Sequence, residues 1–259
     1  MKQIQLQLIF RDIKKAFHAR TILIWAALSL ICIFFFYTSS GKHDFIETKK
    51  IEYMSLFLPQ IIFGAWAVLS VYFDLISSDR EHNVLDCILC SGITKTQVYI
   101  SKILASAIIS SLIAIIYLLP ITLVLVKLGG SFGYFSVFLK YLFPLWGFIV
   151  MFAYMGLLIS VIARSSKAAL IWSLAIGLIL MPRFTMIIIE GIGSIFHWSD
   201  TIKNNISMVA PGIMLEALSD YSNQIKFCTA IGYFVVGITL FIIIAGITFH
   251  KQDEYNYGE

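Results

Sequence analysis

Residues 103–126 read ILASAIISSLIAIIYLLPITLVLV, with no Asp, Glu, Lys or Arg among them. A helix of that length crosses the roughly 30 Å of hydrocarbon in a bilayer, and no charged side chain opposes its insertion. Four further charge-free runs flank it at 21–41, 53–73, 141–163 and 227–250. A shorter apolar run, 168–182, stops at Pro182-Arg183 before apolar residues resume through Ile189. The runs are solidly apolar and lack the period-2 alternation of barrel strands. The expected fold is therefore all-α, with six transmembrane helices in a single transmembrane domain over 1–259.

Composition agrees. Hydrophobic residues make up 59% of the chain and charged residues 13%, against about 25% charged in an ordinary globular domain. The first apolar run follows about twenty residues that carry Lys2, Arg11, Lys14, Lys15 and Arg20, too long and too structured for a secretory n-region, so the run reads as a retained anchor. Within 1–20, Leu6, Ile9, Ile13 and Phe17 recur at helical spacing while Arg11, Lys15 and His18 fall on another face. That pattern predicts an N-terminal amphipathic helix lying in the interface, its basic groups near anionic headgroups.

The basic N-terminal cluster favours an internal N-terminus. Six spans then bring the C-terminus to the same side, which predicts a multi-pass protein of the cell membrane with both termini cytoplasmic. The segment 183–226 stands apart. Its apolar pieces are too short to span and are interrupted by Gly191, Gly193, Pro211 and Gly212, so it reads as a re-entrant or interfacial helical segment on the outer side, before the last span.

Chemistry of its own is not written into the chain. No G-x-x-x-x-G-K-[ST], H-E-x-x-H or G-x-S-x-G occurs, so neither a phosphate-cradling loop nor a zinc protease or serine hydrolase site is expected. The five histidines are scattered. Cys87-Ile88-Leu89-Cys90 matches C-x-x-C, but the second cysteine pair of a zinc site and the βαβ context of a redox motif are both missing. Asp74, Lys140, Arg183 and Glu190 lie at the ends of apolar runs, where long side chains reach water. Of these, Lys140 and Glu190 are candidates for a substrate pathway.

One polar island remains, between the second and third spans: Asp79-Arg80-Glu81-His82-Asn83-Val84-Leu85-Asp86-Cys87-Ile88-Leu89-Cys90-Ser91-Gly92-Ile93-Thr94-Lys95, continuing to Ser101-Lys102. It resembles the first cytoplasmic loop of ABC-2 type transporter permeases, which typically reads E-R-E-x-G-T-L-E-x-L-L-x-x-P-[VIL]-[ST]-[RK] and then G-K. Arg80, Glu81, Leu85, Thr94, Lys95 and Lys102 match; Asp79 and Asp86 stand for acids. Asn83-Val84 replaces Gly-Thr, Gly92 replaces Pro, and Ser101 replaces Gly.

The resemblance implies the permease subunit of an ATP-driven ABC exporter, with no cofactor of its own because ATP is bound by a separate ABC-type ATP-binding subunit. It also implies a second permease chain, as a homodimer or a related heterodimer. The loop 77–102 then becomes the coupling loop. A short helix with Leu85, Ile88 and Leu89 on one side suits a groove on the ATPase, and Asp79, Arg80, Glu81, Asp86, Thr94, Lys95 and Lys102 set register around it. The remaining partners expected are membrane lipids and not nucleic acid. An amphipathic substrate (peptide, drug or lipid) moved outward fits this reading. The alternative is a membrane sensor or immunity protein that binds a peptide or lipid without pumping.

Overall fold

Inside hydrocarbon a backbone amide must find its partner within its own segment, so apolar runs of this length close into helices. The computed structural model describes residues 2–38, 41–48, 53–131, 135–207, 214–215, 217 and 224–251, and among these no strand occurs. Helix α1 (Lys2–Ala16) leads into α2 (Ala19–Thr38), the short α3 (Gly41–Thr48) and α4 (Tyr53–Tyr72). Two short helices follow, α5 (Ser77–Glu81) and α6 (Val84–Cys90), and then the long α7 (Lys95–Gly129). The chain continues through α8 (Phe135–Ile162), α9 (Ser166–Ile179), α10 (Pro182–Ile195), α11 (Asp200–Ser207) and α12 (Gln224–Lys251).

Five helical stretches are long and apolar enough to span a membrane: Thr21–Thr38, Phe57–Glu81, Lys95–Gly129, Phe138–Ile162 and Phe227–Lys251. A bent pair, α9 and the Phe184–Ile195 part of α10, meets at 67° and brings the number to six where the two are counted as one broken span. The bend has a local cause: Pro182 has no N–H to continue α9 and is well placed in the first turn of a new helix. The chain is thus an all-α, multi-pass membrane protein. Pro211 and Gly212 lie outside the described residues.

Helix α7 is the central post. Its 35 residues amount to about 52 Å, so it projects well beyond a hydrocarbon layer. A capping box starts it: the Thr94 hydroxyl accepts from the Gln97 amide, and the Thr94 amide donates to Gln97 Oε1. Gly130, at φ 65°, closes its far end. The helix packs against α1, α2 and α8, and α8 packs in turn against α4 and α12. Small side chains permit these contacts. A methyl group at Gly156 of α8 would lie 2.8 Å from Tyr72 Cβ, so α4 and α8 approach there at a distance only glycine allows. The Tyr72 hydroxyl is 2.8 Å from Ser110 Oγ of α7 and ties the same region together.

Helix α1 differs from the expectation in one respect. Leu6 and Phe10 are exposed, as an interfacial helix requires, but Arg11 and Lys15 turn inward to the protein's own carboxylates instead of outward to headgroups. Leu8, Asp12 and Ala16 form the buried stripe. Arg11 and Lys15 stay partly exposed, 34% and 22%, so they gain the carboxylates without losing all their water.

Candidate functional site

At the Lys95 end of α7, Lys102 is only 1% exposed. A buried ammonium needs an acceptor for each of its three protons, and it has them: Asp12 Oδ1 at 3.0 Å, Asp79 Oδ2 at 2.5 Å and the Leu75 carbonyl at 2.6 Å. Arg11 donates to the same two carboxylates, at 2.9 Å to Asp12 and 2.6 Å to Asp79. Lys15 stands 3.6 Å from Asp79 and donates to the Asp74 carbonyl at 3.0 Å. Three cations therefore surround two carboxylates. Burial works against the Arg11 charge, but the carboxylates of Asp12 and Asp79 more than offset it and raise its pKa above the usual guanidinium range. Asp12 Oδ2 is buried with no hydrogen-bond partner among the described residues.

The next two residues of the island fasten other elements. Arg80 Nη1 donates to the carbonyls of Val161 and Ala163, at 3.1 and 3.2 Å, where α8 runs out of backbone partners. Glu81 Oε2 accepts from the Ser166 amide at 2.9 Å, at the opening turn of α9. A carboxylate is favourable at that helix end, as a cation is at the other. From below, Ser160 of α8 accepts from the Ile76 and Ser77 amides at 2.8 and 3.0 Å. Asp79, Arg80 and Glu81 thus tie α5 to α1 and α7, to the end of α8, and to the start of α9.

Helix α6 begins on Asn83, whose φ of 55° is left-handed. This is the position of the resembled loop's glycine, and asparagine is among the few other residues that enter that region readily. The departure in sequence preserves the turn. Beyond it, Leu85 is 5% exposed and belongs to the chain's own core, with Ile88 and Leu89 half-buried against that core. The apolar stripe expected to meet a partner instead anchors α6 to its own bundle. The outward face is Asp86, Cys87 and Cys90, with His82 and Asn83 beside them. Thr94 caps α7, and Lys95 opens it half-buried. Asp79 and Lys102 are interior and do not face solvent.

Lys140 and Glu190 are both exposed, on α8 and α10 respectively. Among the described residues no group of three or more His, Cys, Asp or Glu could hold a metal ion. Asp12 escaped the sequence reading. The available signal was an acid at i+4 from Leu8 and i−4 from Ala16, on the face of α1 that packs inward.

The site gathers helix ends and the amphipathic α1 on one short polar segment of a bundle of apolar helices. The family model for the ABC-2 type transporter matches residues 4–198, and the chain belongs to that family. It is a permease of an ABC-type transporter. None of the curated proteins matches the chain.

Proposed function

We propose that this permease works as an exporter powered by a separate ATP-binding subunit, and that α5–α6 is where the two meet. The observation that carries the reading is the division of labour in Asp79-Arg80-Glu81, each of which grips a different element. A push on the exposed face of α6 is delivered through rigid contacts to α1, α7, α8 and α9 together. Rigid-body transmission of this kind is what conversion of ATP-driven closure into helix movement requires.

In this reading Asp86, Cys87 and Cys90 meet the ATPase, Leu85, Ile88 and Leu89 hold α6 to the bundle, and Asp79, Lys102, Arg11 and Asp12 keep the lever stiff. The face bearing α6 is then cytoplasmic, together with both termini, and an amphipathic substrate moves outward. Two permease chains work with two ATPase subunits.

The test is purification of the permease with its ATP-binding subunit, followed by ATP hydrolysis measured in proteoliposomes. Hydrolysis should require the ATPase subunit and rise when a transported amphiphile is added. A permease that co-purifies with no ATPase, and whose loss leaves efflux unchanged, would mark a sensor and not a pump.

A further inference from the structure

Gln60 lies inside the membrane-spanning stretch Phe57–Glu81 and is 0% exposed. Its amide brings two N–H donors and an acceptor oxygen with two lone pairs, yet neither Nε2 nor Oε1 has a hydrogen-bond partner among the described residues. The side chain lies along its own helix. Oε1 stands 2.9 Å from the point that a methyl on Gly64 would occupy, and Phe148 Cε1 of α8 stands equally near the same point. The bare glycine one turn on thus lets the amide rest on α4 beside the Phe148 ring. The preceding residue adds to the shortage of partners. Pro59 is inside α4 and has no N–H, so the Ser55 carbonyl one turn earlier loses its helical donor.

Unanswered polar groups are costly at this depth, because hydrocarbon supplies nothing to bond them. Access limits what can answer the amide. A lipid, a transported amphiphile and a second copy of the chain all approach from outside and cannot touch a side chain that is wholly covered. Water can be enclosed with it as the helices close. A buried water is held by two to four polar partners. The amide alone offers it both a donor and an acceptor, and the Ser55 carbonyl is a further acceptor a turn away. Ordered water is also one of the groups that restore backbone partners around prolines in membrane helices.

We propose that α4 and α8 enclose a structural water site held by the Gln60 amide. The site stands apart from the α5–α6 lever and does not depend on whether the chain pumps. It gives α4 an exchangeable, wet contact in the half that begins at Tyr53. At the other end of α4 the contact is dry, where Tyr72 packs directly on Gly156.

The experiment is radiolytic labelling of the full chain in nanodiscs, in water enriched in oxygen-18. A hydroxyl radical formed from an enclosed water oxidises the side chain beside it, so Phe148 should take up heavy oxygen although it is 0% exposed. Leu157, equally covered on the same helix, should stay unlabelled, each rate being divided by that of the unfolded chain. Gln60→Met keeps the side-chain length and removes the amide. It should abolish the Phe148 label and lower the melting temperature, because the bonds to water are lost. Gln60→Leu replaces it should the methionine variant fail to insert. Three results would overturn the proposal: no Phe148 label above that of Leu157 in the unmodified chain, a Phe148 label that survives removal of the amide, or a variant that melts at or above the unmodified chain. The last is the behaviour of an amide buried without any partner. The first comparison needs no variant.

Discussion

Lys102 and Asp12, ninety residues apart in the chain, meet at 3.0 Å inside the protein. Their contact fastens the amphipathic N-terminal helix to the Lys95 end of α7. Asp79 shares the same ammonium, so one buried cation holds α1, α5 and α7 at a single point.

Lys102→Met should be the most damaging single change in this cluster. It takes the most deeply buried of three cations from Asp12 and Asp79 and leaves those carboxylates to the partly exposed Arg11 and Lys15, and breaking a buried ion pair from one side costs about 3–5 kcal/mol. Thermal unfolding in detergent should show a large drop. Lys102→Met combined with Asp12→Asn should recover part of it, because fewer uncompensated charges then remain.

Arg80→Ala should separate coupling from stability. The Val161 and Ala163 carbonyls lose a charged donor, a cost of roughly 1–2 kcal/mol, and the chain should still fold and insert. ATP hydrolysis by the assembled complex should continue while substrate movement per ATP falls. A parallel loss of hydrolysis and transport would show that Arg80 acts on assembly instead. Glu81→Gln, which keeps an acceptor for the Ser166 amide, should be milder than Glu81→Ala in the same assay.

At Asn83 the backbone alone makes the prediction. Asn83→Gly should be neutral, since glycine enters the left-handed region freely. Asn83→Val should cost about 1–2 kcal/mol locally, loosening α5–α6 and speeding proteolysis of that segment while the spans stay protected.

Gly156→Ala tests the approach of α4 and α8. The added methyl would sit 2.8 Å from Tyr72 Cβ, where there is no flexible side-chain end to move aside. The helices must separate, and thermal stability should fall by about 1–3 kcal/mol. Gly232→Ala, where an added methyl meets nothing within 4 Å, should be close to neutral.

The spans were legible because hydrocarbon imposes a simple rule, a charge-free, mostly apolar run about 20 residues long, and 103–126 obeys it. The run at 168–182 was harder because Pro182 opens a new helix, α10, at an angle to α9, and a proline marks a bend without giving its angle. Within the island, the acid–base pattern marked a segment rich in polar contacts but did not tell its inside from its outside. Leu85, Ile88 and Leu89 lie on one side of a helix whether that side meets a partner or the chain's own core, and periodicity is the same in both cases. Lys102 looked like a loop cation because Asp79 stands at the far end of the same island and Asp12 arrives on a helix whose basic residues suggested a lipid surface.

The lever reading depends on the outward face of α6 being covered by the ATP-binding subunit, and the chain carries its own probe there in Cys87. With Cys90→Ser removing the neighbouring thiol, the rate of maleimide labelling at Cys87 can be compared in membranes with and without the ATPase subunit. Strong protection in the complex, lost again in high salt or on ATPase dissociation, is the predicted result. Equal labelling rates in a verified complex would contradict it, and would leave α5–α6 a solvated loop with no part in driving transport.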